Sequence, residues 1–383
     1  MKRIVAALFL ATSASLVFAA QPPITGSPTV DSPPLLSWVR DTTPVLPDLT
    51  EPTANRLNDV HGQVDCSAVD LVFTTSGNYH MALRDLWQKV LLPNNGDVIS
   101  TYIYSTSPPI GKQQIVNKNL TVGNMAFKCR PGVAVAPLAE LNQLKPLGLM
   151  DGTPVAIIKN QGNVILVKKG NPQHIKTVWD LGRANVRVVT PNPLTEPGSF
   201  SNYAGSIYQI ALNSQNTAPD GMTADQLFNS IFNNETNPGG GHDVDEDTEP
   251  DNSSKTDNDD NGDNGRHSGD MNHQYGKWLS GSMIHHREVP WSIAYGHGDA
   301  SVIFYHLALH AVRTFPDLFE IVPLGGTVDA PQPLLGNTVA TLYAVPVMGT
   351  LSARQFDART RLMSALQSSD FTLILQSHGL TRP

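Results

Sequence analysis

The chain has 383 residues, of which 40% are apolar and 16% charged, an ordinary globular composition in a chain too long for one hydrophobic core. Its formal charge is −8, and residues 242–270 alone contribute −9 through eleven acidic and two basic side chains. The rest of the chain is nearly neutral and offers no basic field, so we expect no nucleic-acid partner.

Residues 1–20 have the pattern of a secretory signal peptide, with a basic start, an apolar middle and small residues before Gln21. No later apolar run approaches the roughly 20 residues of a membrane helix. We therefore expect a periplasmic or secreted protein that is soluble once the signal peptide is removed and is not inserted in a membrane. Export and a total of two cysteines favour a disulfide between Cys66 and Cys129, and two buried thiols are the alternative.

Residues 21–63 are interpreted as an extended, proline-rich N-terminal arm, and globular structure is predicted from residue 64. The next stretch, DLVFTTSGNYHMALRD at residues 70–85, predicts a short strand that runs into a hydroxyl- and glycine-bearing turn and then a helix, with Ser76 as the natural N-cap. Such a turn aims backbone N–H groups and the positive end of a helix dipole at one point, which favours a small anion. The alternative is that Thr75 and Ser76 are ordinary caps that touch no ligand.

Apolar or alternating segments predict further strands at residues 98–104, 132–139, 153–169 (two strands around the turn NQGN), 186–190, 298–305, 319–324 and 338–347. Helices are predicted at residues 175–181, 198–211 and 307–312, and as a pair over 353–379 that breaks near residues 369–370. Strands that alternate with helices indicate an α/β fold. Because residues 198–203 repeat the hydroxyl-rich turn of the first unit, two helix starts are expected to clamp one ligand between two lobes.

Residues 237–274 contain almost no apolar side chains, so we predict an acidic, disordered surface insert. Within it, the opening half of a calcium loop is matched by Asp257, Asp259 and Asn261 at positions one, three and five. Ser268 stands where the loop needs a bidentate glutamate, so weak cation binding is expected, and a solvated acidic linker is the favoured interpretation.

His306 and His310 are one helical turn apart in FYHLALHAVR, so their imidazoles can share a helix face and bind zinc. A pair at this spacing without a fixed acid is weak support for a metal site. Packing of both rings in the core is the favoured alternative.

Four stretches in order resemble one known family: VDLVFTTSGNYHMALRDL at residues 69–86, VILVKKGNPQHIKTVWDL at 164–181, GHGDASVIFYH at 296–306 and MSALQSSDFTLILQSHGL at 363–380. Their order resembles the periplasmic solute-binding proteins of ABC transporters, in particular the branch that binds molybdate or tungstate. The resemblance implies the two-lobed type II periplasmic binding fold, in which each lobe is a mixed sheet flanked by helices and the ligand cleft lies at the hinge. Lobe 1 would comprise residues 64–155 and 325–383, and lobe 2 residues 156–324.

Members of that family hold oxyanions through neutral hydroxyl and N–H donors, without a cofactor. The resemblance places these donors at Ser76 in lobe 1 and at Ser199 in lobe 2, and its aromatic donor at Phe304 or Tyr305, of which only Tyr305 can donate. Thr75 and Gly77 in the same turn as Ser76, together with Ser105, complete the predicted ligand-binding set. This chain departs from the pattern after its third strand, where the residues APLA lack the expected hydroxyl. Ser105, Thr106 or Ser107 would have to replace it.

We therefore expect an exported solute-binding protein that captures a small inorganic oxyanion and delivers it to the membrane permease of an ABC transporter. Molybdate or tungstate is the ligand that we expect first, followed by sulfate, thiosulfate or phosphate. The alternative is an exported module that binds metal cations through the acidic insert and the histidines. The chain has no Gly-x-Ser-x-Gly elbow, His-Glu-x-x-His pair or phosphate loop, so we do not expect an enzyme.

Overall fold

The computed structural model describes residues 20–31, 63–64, 69–74, 77–105, 112–122, 125–233, 276–281 and 285–383. The predicted signal peptide and acidic insert therefore lie outside the described residues, apart from Ala20. Within the described part, no helix is both long and apolar enough to cross a membrane.

The described strands, in chain order, are β1 (Thr29–Asp31), β2 (Gln63–Val64), β3 (Leu71–Thr74), β4 (Tyr102–Ser105), β5 (Leu120–Val122), β6 (Met125–Phe127), β7 (Val133–Pro137), β8 (Val155–Lys159), β9 (Asn163–Lys168), β10 (Val188–Thr190), β11 (Trp278–Gly281), β12 (Ala300–Phe304), β13 (Phe319–Pro323) and β14 (Thr341–Pro346). The described α-helices are α1 (His80–Leu86), α2 (Leu92–Asn95), α3 (Lys112–Asn117), α4 (Leu138–Asn142), α5 (Pro197–Asn213), α6 (Ala224–Phe232), α7 (His285–Ala294), α8 (Tyr305–Thr314), α9 (Ala353–Gln367) and α10 (Ser369–Ser377). A π-helical turn, Trp87–Leu91, joins α1 to α2.

Lobe 1 is built on a five-stranded sheet in the order β4-β3-β7-β14-β8. The strand β3 pairs in parallel with β4 and β7, whereas β14 runs antiparallel to both of its neighbours. The side chains of Leu71, Val72 and Phe73 are all buried, because helices cover this sheet on both faces. A separate three-stranded sheet, in the order β2-β6-β5, accompanies it.

Lobe 2 is built on a six-stranded sheet in the order β1-β11-β10-β12-β9-β13. Its edge strand comes from the N-terminal arm, since β1 pairs in parallel with β11. The Asn233 side chain fastens the same arm, accepting from the Thr25 N–H at 2.6 Å and donating to the Pro23 carbonyl at 2.8 Å. The described part of the arm is therefore extended, and it packs on lobe 2.

Several predicted segments are shorter in the structure than the sequence suggested, and for two of them hydrogen bonds give the reason. The helix predicted from residue 175 is a 3₁₀ helix, Val178–Gly182, because the Asn171 side chain bonds both the N–H and the carbonyl of Ile175 and holds that residue in a turn. The strand predicted from residue 98 begins at Tyr102, since the N–H groups of residues 98 and 99 bond to the Asn95 carbonyl and close the preceding helix.

The C-terminal helix pair is confirmed. The helices α9 and α10 are separated by Ser368, whose hydroxyl accepts from the Phe371 N–H and caps α10. The α/β fold class, with two mixed sheets flanked by helices, is likewise confirmed. The exact lobe boundaries given above remain predictions.

Candidate ligand-binding cleft

Two chain segments connect the sheets of the two lobes. Residues 160–162 lead from β8 in lobe 1 to β9 in lobe 2, and residues 337–340 lead back into β14. The strands predicted on either side of the turn NQGN thus belong to different sheets. This turn is one of the two described crossings at the hinge.

The Asn160 side chain is hydrogen-bonded to both crossings. Its side chain is 1% exposed, and its Oδ1 accepts from the Gly162 N–H at 3.2 Å and from the Ala340 N–H at 2.9 Å. The amide nitrogen Nδ2 donates to the Tyr79 hydroxyl oxygen at 3.2 Å. One neutral amide therefore fixes the geometry of both crossings and reaches the first helical turn of lobe 1.

A second amide, that of Asn337, links the same two segments. Its Oδ1 accepts from the Asn163 N–H at 2.7 Å, and its Nδ2 donates to the Asn163 carbonyl at 2.9 Å. Ser206 on α5 extends the network, since its hydroxyl accepts from the Thr338 N–H at 3.1 Å. Buried backbone groups at the hinge are thus paired by uncharged side chains.

The lobes also touch where β3 and β12 end. A 3₁₀ turn, Gly77–Tyr79, follows β3, and the Tyr79 ring stacks on the His306 ring of lobe 2 at 4.9 Å between centroids. The His306 Nε2 lies 2.6 Å from the Asn78 carbonyl oxygen and must carry the proton, because a carbonyl only accepts. This bond joins the two lobes directly.

The imidazole of His306 is uncharged here. Burial lowers its pKa to about 3, and burial lowers the pKa of His310 to about 4. Within the described residues no group of three or more metal-ligating side chains is found. The Nε2–H of His306 serves a hydrogen bond to lobe 1. The zinc and core-packing interpretations of His306 and His310 both remain predictions.

Helix α5 begins at the carboxyl end of β10, beside β12 in the same sheet. Its N-cap residue Glu196 makes no side-chain cap bond, and Pro197 occupies the first turn. The N–H groups of Gly198 and Ser199 have no acceptor within the helix, because the first turn of any helix lacks one. Ser199 is half-buried in this turn, so the site at the start of α5 offers N–H and O–H donors together.

The predicted ligand residues of lobe 1 that the structure describes lie at the carboxyl ends of two neighbouring strands, β3 and β4. Gly77 opens the 3₁₀ turn, and Ser105 ends β4 in register with Thr74 at the end of β3. Thr75 and Ser76 themselves lie outside the described residues. Their contacts, and a meeting of Ser76 with Ser199, remain predictions.

Tyr305 lies in different surroundings from the lobe junction around His306. Its hydroxyl donates to the Val328 carbonyl at 2.8 Å, and its ring is packed against Gly379 after α10. It lines a groove of about 310 Å³ together with Arg313 of lobe 2 and Gly379 of lobe 1. A ligand role for Tyr305 remains a prediction, and it would require this hydrogen bond to be broken.

The remaining predicted sites lie partly or wholly outside the described residues. This holds for Asp257, Asp259 and Asn261 of the calcium-like loop and for Cys66. Cys129 is half-buried just before β7. Its pairing with Cys66 remains a prediction.

Sequence reasoning missed the hinge amides and Tyr79. The turn NQGN between two apolar strands was a visible signal for Asn160 and Asn163, since a polar break in a long apolar run marks a point where the chain leaves the sheet. Tyr79 lies within the stretch quoted for residues 70–85, but no sequence pattern marks it as a hydrogen-bond donor to a ligand. Nothing in the local sequence indicates Asn337.

A family model described as bacterial extracellular solute-binding protein matches residues 130–381. The chain therefore belongs to this family of extracellular solute-binding proteins. The matched residues include all of lobe 2 as bounded above, and residues 130–155 and 325–381 of lobe 1.

One relative is a sulfate-binding protein of Synechococcus elongatus, 32% identical over 80 residues. The match covers 19% of this chain and 23% of the relative, so the chain spans about a quarter of that protein's length.

Among solved structures, PEB3 of Campylobacter jejuni is 14% identical, with 82% of this chain and 100% of that one covered and a TM-score of 0.44. The sulfate-binding protein SubI of Mycobacterium tuberculosis is 12% identical, with 84% and 87% covered and a TM-score of 0.45. The periplasmic molybdate-binding protein of Azotobacter vinelandii is 13% identical, with 82% and 99% covered and a TM-score of 0.44. The family assignment rests on the family model.

Proposed function

We propose that this exported protein captures a small tetrahedral oxyanion between its lobes and delivers it to the membrane permease of an ABC transporter in the periplasm. The observation that carries the proposal is the start of α5. A 17-residue helix begins there without a side-chain cap, after the carboxyl end of β10. Its free N–H groups and dipole favour a negative charge.

The neutral surroundings of the junction support the same ligand class. Asn160 and Tyr79 are uncharged, and burial keeps the His306 imidazole neutral by lowering its pKa. Donors of this kind hold an anion without an ion pair, and exclusion of water on closure of the lobes strengthens each bond. Selectivity among oxyanions then comes from the size of the cavity.

The relatives suggest which anions to test. The Synechococcus elongatus relative is a sulfate-binding protein, and the motifs in the sequence resemble the molybdate and tungstate branch. We therefore place sulfate beside molybdate and tungstate as the leading ligands. Thiosulfate and phosphate follow.

The test is isothermal titration calorimetry on the chain from Gln21 onward, with each of the five anions added at up to millimolar concentration. One of them is expected to bind, and Ser199→Ala should weaken that binding by about 1.5 kcal/mol, or roughly tenfold, since a bond to a charged partner is lost. Ser364→Ala is the matched control, because Ser364 is exposed on α9. The proposal fails if no anion binds, or if Ca²⁺ or Zn²⁺ alone produces heat.

A further inference from the structure

The Tyr79 side chain occupies the junction of the lobes. It belongs to the 3₁₀ turn directly after β3, and its residue is 3% exposed. Its ring lies against His306 at 4.9 Å and near Phe304 at 6.2 Å, both from lobe 2. The hydroxyl is therefore placed where the carboxyl ends of the strands of both lobes converge, which is where α/β folds bind ligands.

The direction of its hydrogen bond with Asn160 is fixed. The Asn160 Oδ1 already accepts from the Gly162 and Ala340 N–H groups, so the atom that faces Tyr79 is the amide nitrogen Nδ2. An amide NH₂ only donates. The Tyr79 oxygen is thus the acceptor of this bond, and its own proton remains available to a second partner.

Among the described residues, the structure shows no acceptor for that proton. The group stays protonated, because burial raises the pKa of Tyr79 far above its usual value. A buried O–H donor held in one orientation, with a proton to give, is suited to an oxygen of an anion and unsuited to a cation.

We propose that Tyr79 donates its hydroxyl proton to an oxygen of the anion bound in the cleft, and that Asn160 aims this donor from the hinge. The inference rests on the proposed function and assigns one of its contacts. It gives Tyr79 the aromatic donor role that the sequence assigned to Tyr305, whose hydroxyl is engaged with the Val328 carbonyl. Because Asn160 also binds both crossings, the donor reaches its position only when the hinge has the geometry seen here.

The experiment compares Tyr79→Phe with Tyr208→Phe in calorimetric titrations with the five anions named above. The Tyr208 hydroxyl, on α5, donates to the Asp225 carboxylate at 2.9 Å. Each variant loses one oxygen and keeps its ring, so the two are matched. We expect Tyr79→Phe to weaken binding by tenfold or more and Tyr208→Phe to change it less than twofold. Thermal melting without ligand shows whether either variant has lost its fold.

A second measurement is independent of the variant's stability. In wild-type protein with ¹³C-labelled tyrosine, the Tyr79 Cζ signal should move when the anion is added, because its hydroxyl gains an acceptor. A purely structural tyrosine would not respond. If wild-type protein binds an anion while Tyr79→Phe binds equally well or the Cζ signal stays still, only the role of Tyr79 is wrong. If wild-type protein binds none of the five anions, the proposed function falls with it.

Discussion

The hinge and the helix packing of lobe 1 use polar side chains in opposite ways. At the hinge, Asn160 and Asn337 are buried, uncharged and bonded to backbone groups from both crossings. In lobe 1 the polar links are ionic. Asp85 on α1 accepts from Lys89 at 2.8 Å and from His378 after α10 at 2.9 Å, and Arg354 on α9 pairs with Asp70.

This difference has a physical reason. A charge buried beside the cleft would either repel the ligand or bind it by an ion pair, and it would be costly to desolvate when unpaired. A neutral network avoids this cost. At the proposed site the remaining field comes from the dipole of α5 and from the Glu196 carboxylate at the start of that helix. The ionic links stabilise packing inside one lobe, where no ligand has to enter.

The largest effect is expected at the hinge. Asn337→Ala removes both partners of the Asn163 backbone, leaving a buried N–H and a buried carbonyl unpaired, which should lower the free energy of unfolding by about 4 kcal/mol. Denaturant titration measures it. Asn213→Ala, at an exposed position on α5, should cost less than about 1 kcal/mol. An equal loss of unfolding free energy in both variants would show that the hinge amides contribute no more to stability than an exposed asparagine does.

The ionic links should give a smaller, pH-dependent effect. Burial alone would raise the pKa of Asp85, but hydrogen bonds from His378 and Lys89 outweigh it and lower the pKa to about 2 from a usual 3.8. A carboxyl whose pKa is lowered on folding stabilises the fold at every pH above its pKa in the unfolded chain. That contribution is lost as the pH falls toward its pKa in the folded protein. Asp85→Asn should therefore cost about 2 kcal/mol at pH 7.

Denaturant titrations between pH 7 and pH 2 test this. The difference between wild type and Asp85→Asn should be constant down to about pH 4 and then shrink toward pH 2. Asp357→Asn, in an exposed pair with Arg361 on α9, is the control and should change stability by less than about 0.5 kcal/mol at any pH. A difference that persists undiminished at pH 2 would mean that the pairs with His378 and Lys89 are not its cause.

Local patterns were sufficient to predict most elements of the fold. The apolar run of β9 and the break near residues 369–370 specify a strand and a helix boundary through residues a few positions apart. The hinge could not be predicted in this way. Asn163 and Asn337 are bonded across 174 residues of chain, and an asparagine at either position is equally compatible with an ordinary turn. The engagement of Tyr305 with Val328 is also a tertiary contact, so the sequence alone could not distinguish it from a free donor.

The smallest predicted effect concerns the one feature of the α5 site that opposes an anion. Glu196 is the N-cap residue of α5. Burial is the main reason why the pKa of Tyr203 is raised, and the negative charge of Glu196 adds to it. The charge of this carboxylate therefore acts on the buried Tyr203 side chain. Glu196→Gln should therefore tighten oxyanion binding by about 0.5–1 kcal/mol, a few-fold in Kd, since a like charge near the helix start is removed. Calorimetry at low salt measures it, because added salt screens the effect.

Glu320→Gln is the matched control. It removes the same charge from lobe 2 at β13, where the Glu320 carboxylate accepts from the Gly170 N–H at 3.1 Å, and it should leave Kd unchanged. The sign of the change in Kd caused by Glu196→Gln tells more about the chemistry of the ligand than the size of that change does. If Glu196→Gln weakens binding instead, the carboxylate is a partner of the ligand, and a carboxylate only accepts hydrogen bonds. The solute would then carry a donor or a positive charge at that point, which a fully ionised oxyanion does not have.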